Sequence, residues 1–216
     1  MKDNVTVSDC LADALARRGV RRIFGIPGGG SLDVIEAAAV RGIEFVLTRT
    51  ETAAAIMAAT TAELTGAPGV VITGLGPGAA SVVNGAAHAF LDRAPVVVVT
   101  DAIPASHDFV THQALDQRAL LAPIVKGHMR LAPATAPGLA DLIDLALTAP
   151  AGPVHIDLSR DDAARPASLR GDGSGSTESA ERMLPISSAA ALIAEAQRPV
   201  IIAGLEARAP GAAAAL

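Results

Sequence analysis

The run VVVVT at residues 96–100 narrows the possible folds more than any other feature of the chain. All five residues are β-branched, which favours an extended backbone, and no polar residue alternates with the four valines. Such a strand must be covered on both faces. A parallel sheet with helices above and below provides that cover. The rest of the chain keeps the same rhythm. Residues 6–18 carry Val7, Cys10, Leu11, Ala14 and Leu15 at helical spacing and stop at Gly19. Further strands are expected at 21–26, 43–47, 70–73, 124–130 and 154–158. Helices are expected at 31–41 with Ser31 as cap, at 51–65, at 77–92 with Pro77 in the first turn, at 115–121 and at 137–148. Residues 101–114 have no period. The expected fold class is α/β: a doubly wound, mainly parallel six-stranded sheet flanked by helices, occupying residues 1–160.

Past that point the composition changes. Residues 161–184 are rich in Gly, Ser, Asp and Pro and read as a linker. Residues 186–197 are helical in pattern and 200–203 strand-like. One helix and one strand cannot enclose a core, so residues 185–216 are expected to be the truncated start of a second, central α/β domain.

The totals remove several function classes. A net charge of -5, with no basic cluster, argues against a nucleic-acid partner. Four Phe and no Trp or Tyr leave few stacking platforms. Cys10 is the only cysteine and faces the core of its helix, which excludes disulfide and zinc frameworks. No apolar run approaches a membrane span, and the start, MKDNVTVSD, lacks the apolar core of a signal peptide. A cytoplasmic protein with no membrane partner is the expectation.

In an open parallel sheet, ligands bind beyond the carboxyl ends of the strands. Three turns fall there: GIPGGGS at residues 25–31, TRTE at 48–51 and TGLGPGAAS at 73–81. In the third, Gly74, Gly76 and Ala79 meet the pattern G-x-G-x-x-A, and the next strand ends in Asp101. That is the outline of a dinucleotide fingerprint, and a dinucleotide-binding domain of an oxidoreductase is one reading. Against it, two strand–helix units precede this turn, and Pro77 removes a backbone donor from any phosphate cradle. Tight strand-to-helix turns alone would also account for the glycines. Glu51 has two readings at this level. It is an acid complementing the dipole of its own helix, or a functional carboxylate at a strand end.

Four segments in order are more specific than any one turn. VRRIFGIPGGGSLDVIEA, FVLTRTETAAAIMAATTAELTGAPGVVITGLGPGAASVVNGAAHAFLDRAPVVVVT, HQALDQRALLAPIVKG and GPVHIDLSRD resemble the N-terminal pyrimidine-binding domain of thiamine-diphosphate-dependent enzymes, near the acetolactate synthase and 2-oxo-acid decarboxylase group. The likeness runs from Val5 to about Asp161, and the stretch after Arg182 resembles the start of that family's central domain. The resemblance implies that Glu51 hydrogen-bonds N1′ of the cofactor aminopyrimidine and so promotes ylid formation. It implies that Ile26, Pro27 and Gly28 line the pyrimidine pocket, that Thr73 and Gly76 approach the same cofactor, and that His112 and Gln113 face the substrate.

The same resemblance implies what the chain lacks. Family members hold the cofactor diphosphate and Mg²⁺ on a C-terminal domain through Gly-Asp-Gly and a downstream Asn. Here Gly171-Asp172-Gly173 sits in the linker and no Asn follows it, so no metal site is expected and the chain alone should be inactive. Thr50, Thr52, Leu75 and Ser81 stand where many relatives have His, Gln, Ser and Asn, which leaves the subfamily and the substrate open. A small 2-oxo acid, a homodimer or homotetramer, and FAD in the central domain are the partners and cofactors the family allows. A half-enzyme completed by a partner chain and a non-catalytic module are the remaining alternatives; the presence of Glu51 argues against the second. His88 and His128 read as structural residues.

Overall fold

The computed structural model describes residues 5–104, 112–167, 186–200, 202–204 and 207. Its elements alternate as the valine run requires: α1 (Val7–Arg17), β1 (Arg22–Gly25), α2 (Ser31–Val40), β2 (Glu44–Leu47), α3 (Glu51–Thr65), β3 (Gly69–Thr73), α4 (Pro77–Leu91), β4 (Val96–Ala102), α5 (Gln117–Leu121), β5 (His128–Leu131), α6 (Leu139–Leu147), β6 (Val154–Ser159) and α7 (Arg160–Ala163). The six strands form one sheet in the order β2-β1-β3-β4-β6-β5, and every neighbouring pair is parallel. After β1 the chain winds to β2 on one side, then crosses back to β3 on the other. The crevice at the carboxyl ends of β1 and β3 is therefore the switch point at which open α/β sheets bind ligands.

Two cores cover the sheet. On one face, Leu11 and Leu15 of α1, Val34 of α2 and Ile143 of α6 pack on Val97, Val99 and Ile156. On the other, Ala54 and Ala58 of α3 and Val82 and Ala86 of α4 pack on Val71, Val96 and Val98. Val96 to Val99 are buried to 2% exposure or less, as a doubly covered strand must be. Burying each such side chain contributes about 1.5–3 kcal/mol. Cys10 is fully buried in the first core.

Local chemistry sets the helix ends. Thr6 caps α1 in a reciprocal box: its Oγ1 accepts from the Asp9 N–H at 3.1 Å, and its own N–H donates to Asp9 Oδ2 at 3.0 Å. Arg41, just beyond α2, donates to Asp9 Oδ1 at 3.0 Å and to Asp13, so one guanidinium ties α2 to α1. The α3–α4 contact is closer than ordinary helix packing. A Cβ placed on Gly85 of α4 would lie 2.4 Å from Ala55 Cβ and 2.8 Å from the Thr52 carbonyl oxygen.

Several elements differ from expectation. Ser31 does not cap α2: it is the first helical residue, Gly30 stands at the N-cap, and Ser31 Oγ instead accepts from the Gly28 N–H at 2.8 Å. The fifth strand, expected at 124–130, begins at His128, because Pro123 joins Ala122–Ile124 in a 3₁₀ turn. A second 3₁₀ turn, Ala136–Gly138, precedes α6. The start of the expected linker is ordered: α7 occupies Arg160–Ala163, Thr6 bridges Pro166, and Ala167 N–H donates to Val5 O at 2.8 Å. The remainder of the linker expected at 161–184, from residue 168 on, lies outside the described residues. A second unit contains α8 (Ile186–Glu195), two residues shorter than the helix expected at 186–197. Val200 and residues 202–204 are in no strand, and Ile201 of the strand expected at 200–203 lies outside the described residues. Among the described residues, no helix is long and apolar enough to cross a membrane.

The α3–α4 contact yields a test. Gly85→Val should destabilise the chain by about 1–3 kcal/mol, because neither backbone can yield without moving its helix. Asn84→Ala, an exposed change one residue away, should stay within about 0.5 kcal/mol. Urea denaturation of the two variants measures both.

Candidate functional site

The turn after β2 leaves the Glu51 carboxylate free of capping. Thr50 takes the N-cap of α3 and its Oγ1 accepts from the Ala53 N–H at 3.1 Å. Thr48 Oγ1 donates to Thr50 O at 3.1 Å and stiffens the turn. Glu51, the first helical residue, is left half-buried with its carboxylate uncommitted to capping. Thr52 Oγ1 donates to Ser81 O at 2.6 Å, which pins the first turn of α3 against α4.

At the switch point a cleft of ≈ 560 Å³ opens, and its walls come from all three strand-end turns. Ile26, Pro27 and Gly28 form one side, Gly74, Leu75, Pro77 and Gly78 another, and Glu51 stands at the lip. Two absent Cβ atoms shape it. One on Gly78 would meet Thr73 Oγ1 at 2.6 Å and Glu51 Oε1 at 3.3 Å; one on Gly28 would overlap Asp101 Oδ2. The missing Cβ atoms thus let Asp101 pack against Gly28, and let Thr73 and Glu51 approach Gly78. Gln113, in the left-handed region at φ 68°, also lines it, whereas His112 is exposed and is not part of the wall. Thr73 is fully buried beneath the wall, with Oγ1 donating to Gly74 O. Gly76 is held behind the wall: its φ is 53°, and its N–H donates to Gln117 Oε1 at 2.8 Å. So Ile26, Pro27, Gly28, Glu51 and Gln113 share the cleft, while Thr73 and Gly76 support it from behind.

Asp101 and Arg160 complete the walls. Asp101 explains the missing cap of α2. Its carboxylate reaches across from β4 and accepts from the Gly30 N–H at 3.3 Å. Burial pushes its pKa up, and hydrogen bonds from Ser31 and the backbone of Gly29, Gly30 and Ser31 oppose that rise. Both groups that a dinucleotide would need, the Gly76 amide and the Asp101 carboxylate, already have protein partners. A second hollow of ≈ 330 Å³, lined by Thr6, Asp9, Asp33 and Glu36, lies away from the strand ends.

Behind the cleft lies a cluster that the sequence reading did not assemble. Strand β6 reads VHIDLS: Val154, Ile156 and Leu158 enter the first core, and His155 and Asp157 occupy the opposite face. Register sets His155 beside His128 of β5 and Asp157 beside Thr100 of β4. His155 Nε2 lies 2.9 Å from Thr100 Oγ1, Thr100 Oγ1 donates to Asp157 Oδ1 at 2.6 Å, and the two histidine Nδ1 atoms are 3.0 Å apart. Gln117 Nε2 donates to Asp157 Oδ1 at 2.8 Å. Burial would raise the Asp157 pKa, but hydrogen bonding and charge from His155, with hydrogen bonds from Thr100 and Gln117, outweigh it and bring it down to about 2. Burial lowers His128, the charge of His155 adds to that, and Asp157 opposes it. One ligand atom from each of His128, His155 and Asp157 lies within 4.8 Å of the others. These contacts engage both ring nitrogens of His155, Nδ1 of His128 and Oδ1 of Asp157 in one hydrogen-bond network, and His128 Nε2 lies 3.6 Å from Asp157 Oδ2. The alternation in VHIDLS was the available clue; the partners came from register. His88, on α4, pairs with Asp92 at 3.4 Å.

Comparison with known proteins gives the following. The model of the thiamine pyrophosphate enzyme N-terminal TPP-binding domain matches residues 5–120. The chain is 35% identical to the "Probable acetolactate synthase large subunit" of Methanocaldococcus jannaschii, over 91% of this chain and 35% of that protein. It is 39% identical to the acetolactate synthase of Bacillus subtilis, over 55% of this chain and 21% of that protein. It is 33% identical to the "Probable 2-ketoarginine decarboxylase" of Pseudomonas aeruginosa, over 98% of this chain and 39% of that protein. The chain thus spans about a third of the length of curated relatives that match nearly all of it.

The depressed pKa of Asp157 has a defined sign. A carboxyl that ionises more readily when folded adds stability above its unfolded pKa, near 3.8, and that stability is lost as pH falls towards about 2. Between pH 4 and 2 this group should remove roughly 2 kcal/mol. In Asp157→Asn that component should vanish, so the two stability–pH curves should converge in acid. Denaturant titrations across that window provide the comparison. For Asp101, Asp101→Leu should cost about 1–3 kcal/mol by leaving the α2 amides unpaired. Asp101→Asn keeps an acceptor and should cost less, read as the difference in melting temperature.

Proposed function

The chain belongs to the thiamine pyrophosphate enzymes, through the N-terminal TPP-binding domain matched by residues 5–120, and from that premise we propose that it supplies the aminopyrimidine half of a thiamine-diphosphate site. The enzyme would be an acetolactate-synthase-like decarboxylase or carboligase acting on a small 2-oxo acid. The observation that carries this reading is Glu51: a carboxylate freed from capping by Thr50, set on the lip of the switch-point cleft beside Gly78.

The residues fit the group. A flat heteroaromatic ring needs a wall with few side chains, and Gly28, Gly29, Gly30, Gly74 and Gly78 line this cleft. Ile26 and Leu75 give the cleft apolar sides, and Glu51 offers a hydrogen-bonding group to a ring nitrogen. When bound, thiamine diphosphate supplies the nucleophilic carbon and the electron sink for cleaving the bond next to a 2-oxo group. The part of this chain is to hold the pyrimidine against this glycine-lined wall and to keep a carboxyl proton at Glu51 against its ring nitrogen. Gln113, on the same wall, would face the substrate end, and His112 follows it only as its neighbour in the chain. The diphosphate and Mg²⁺ would be held by a further domain, contributed by a second subunit, so the working assembly would be at least a dimer.

Glu51→Gln keeps the shape and removes the acid. In the intact enzyme it should lower turnover of a 2-oxo acid by about 10²–10⁴-fold with the melting temperature unchanged. Wild-type turnover in that variant would sink the role given to Glu51.

A further inference from the structure

Gln117 is 4% exposed, on the short helix α5 behind the cleft. Its amide can point only one way. Oε1 accepts from the Gly76 N–H at 2.8 Å, while Nε2 donates to Asp101 O at 2.9 Å, to Asp157 Oδ1 at 2.8 Å and to Thr100 Oγ1 at 3.1 Å. A flipped amide would set nitrogen against a backbone N–H and oxygen against a carboxylate. The proton positions beyond it follow. Asp157 can only accept, so the single hydroxyl proton of Thr100 goes to it. Thr100 then has no proton for His155 Nε2, which must carry its own. The two Nδ1 atoms at 3.0 Å share one proton between them. The one ring nitrogen still open to a further proton is His128 Nε2, and it faces Asp157 Oδ2 at 3.6 Å.

We propose that Gln117 is a positioning residue for the glycine wall of the cleft, linking the Gly76 amide through Asp157 to the proton count of the His128–His155 pair. A proton arriving at His128 Nε2 draws the Asp157 charge towards Oδ2 and weakens the acceptor at Oδ1. Gln117 then holds Gly76 less firmly. Gly76 has little freedom otherwise, since a Cβ there would lie 2.0 Å from Gln113 O, so a shift at Gly76 passes directly to Gln113 and the cleft wall. The groups facing His128 are His155 and Asp157 from β6, Arg118 from α5 and Asp116 at the cap of α5. Arg118 and His155 disfavour the extra proton, and the two acids favour it. The hydrogen-bond chain stands independently of any ligand; its consequence for a cofactor rests on the reading of the cleft given above.

The experiment follows the backbone amide of Gly76 and the His128 ring nitrogens by ¹⁵N NMR in the full 216-residue chain from pH 8 to pH 5. In the wild type the Gly76 resonance should move with the His128 midpoint, which should fall below 6.5. In His128→Asn, a half-buried change on the edge strand, the Gly76 response should disappear while spectral dispersion is kept. In Gln117→Met, which keeps length but has no amide, Gly76 should become insensitive to the His128 titration. A wild-type Gly76 resonance that stays flat through the titration overturns the proposal without recourse to any variant, and so does a response that persists in Gln117→Met. The cofactor reading is tested separately, by turnover of Glu51→Gln in the intact enzyme. Wild-type turnover there would count against the cofactor reading, while the Gly76 coupling is read without ligand.

Discussion

The near-contact of α3 and α4 is the constraint on which the remaining geometry depends. Ala54, Ala55, Ala58 and Ala59 on one helix meet Val82, Gly85, Ala86 and Ala89 on the other, and the meeting is close because almost nothing projects between the backbones. Below them, Gly69 of β3 lies against the Ala58 carbonyl, where a Cβ would be 2.1 Å from the oxygen. Helices separated by leucines can slide and repack; helices in backbone contact cannot. The start of α3 is thereby fixed relative to the start of α4, and with it the carboxylate of Glu51 relative to the backbone of Gly78. The alanine-rich composition is part of this geometry.

Strand β4 organises the other two turns. Thr100 and Asp101 are consecutive, so their side chains leave opposite faces of the sheet. Asp101 goes to the amides at the start of α2 and holds the first glycine turn. Thr100 goes to Gln117 and Asp157 and, through Gln117, holds the third. The two aspartates involved have opposite electrostatics. Asp101 is dominated by burial, which raises its pKa, and Asp157 by its donors, which lower it. One clamp is costly when ionised and the other depends on being ionised, although they lie on neighbouring strands.

The fold was legible because doubly buried strands leave uninterrupted β-branched runs, as at β3 and β4. It was less legible where burial is one-sided. Edge strand β5 has a partly exposed HMRL sequence and a proline shortly before it, so its start was placed four residues early. The cap of α2 was misread for a different reason: Ser31 has the right chemistry next to the helix, but the acceptor that serves it comes from a strand seventy residues on. Gln117, His155 and Asp157 escaped notice because what joins them is strand register, which no local pattern reports. Glu51 was ambiguous from the residues alone. Only the resemblance chose between dipole partner and functional acid; the Thr50 cap shows that the carboxylate is not the capping group, which both readings allow.

The three residues between β2 and α3 act as a ruler. Each residue added or removed before a helix turns its first side chains by about 100° and moves them about 1.5 Å along the axis. Glu51 is the first residue of its helix, with no preceding turn to absorb such an error, and α4 prevents α3 from rotating back. A carboxylate displaced in this way would face solvent or the sheet, while the fold around it stayed intact. The composition of the 48–50 turn is therefore free within the limits of capping, and its length is not.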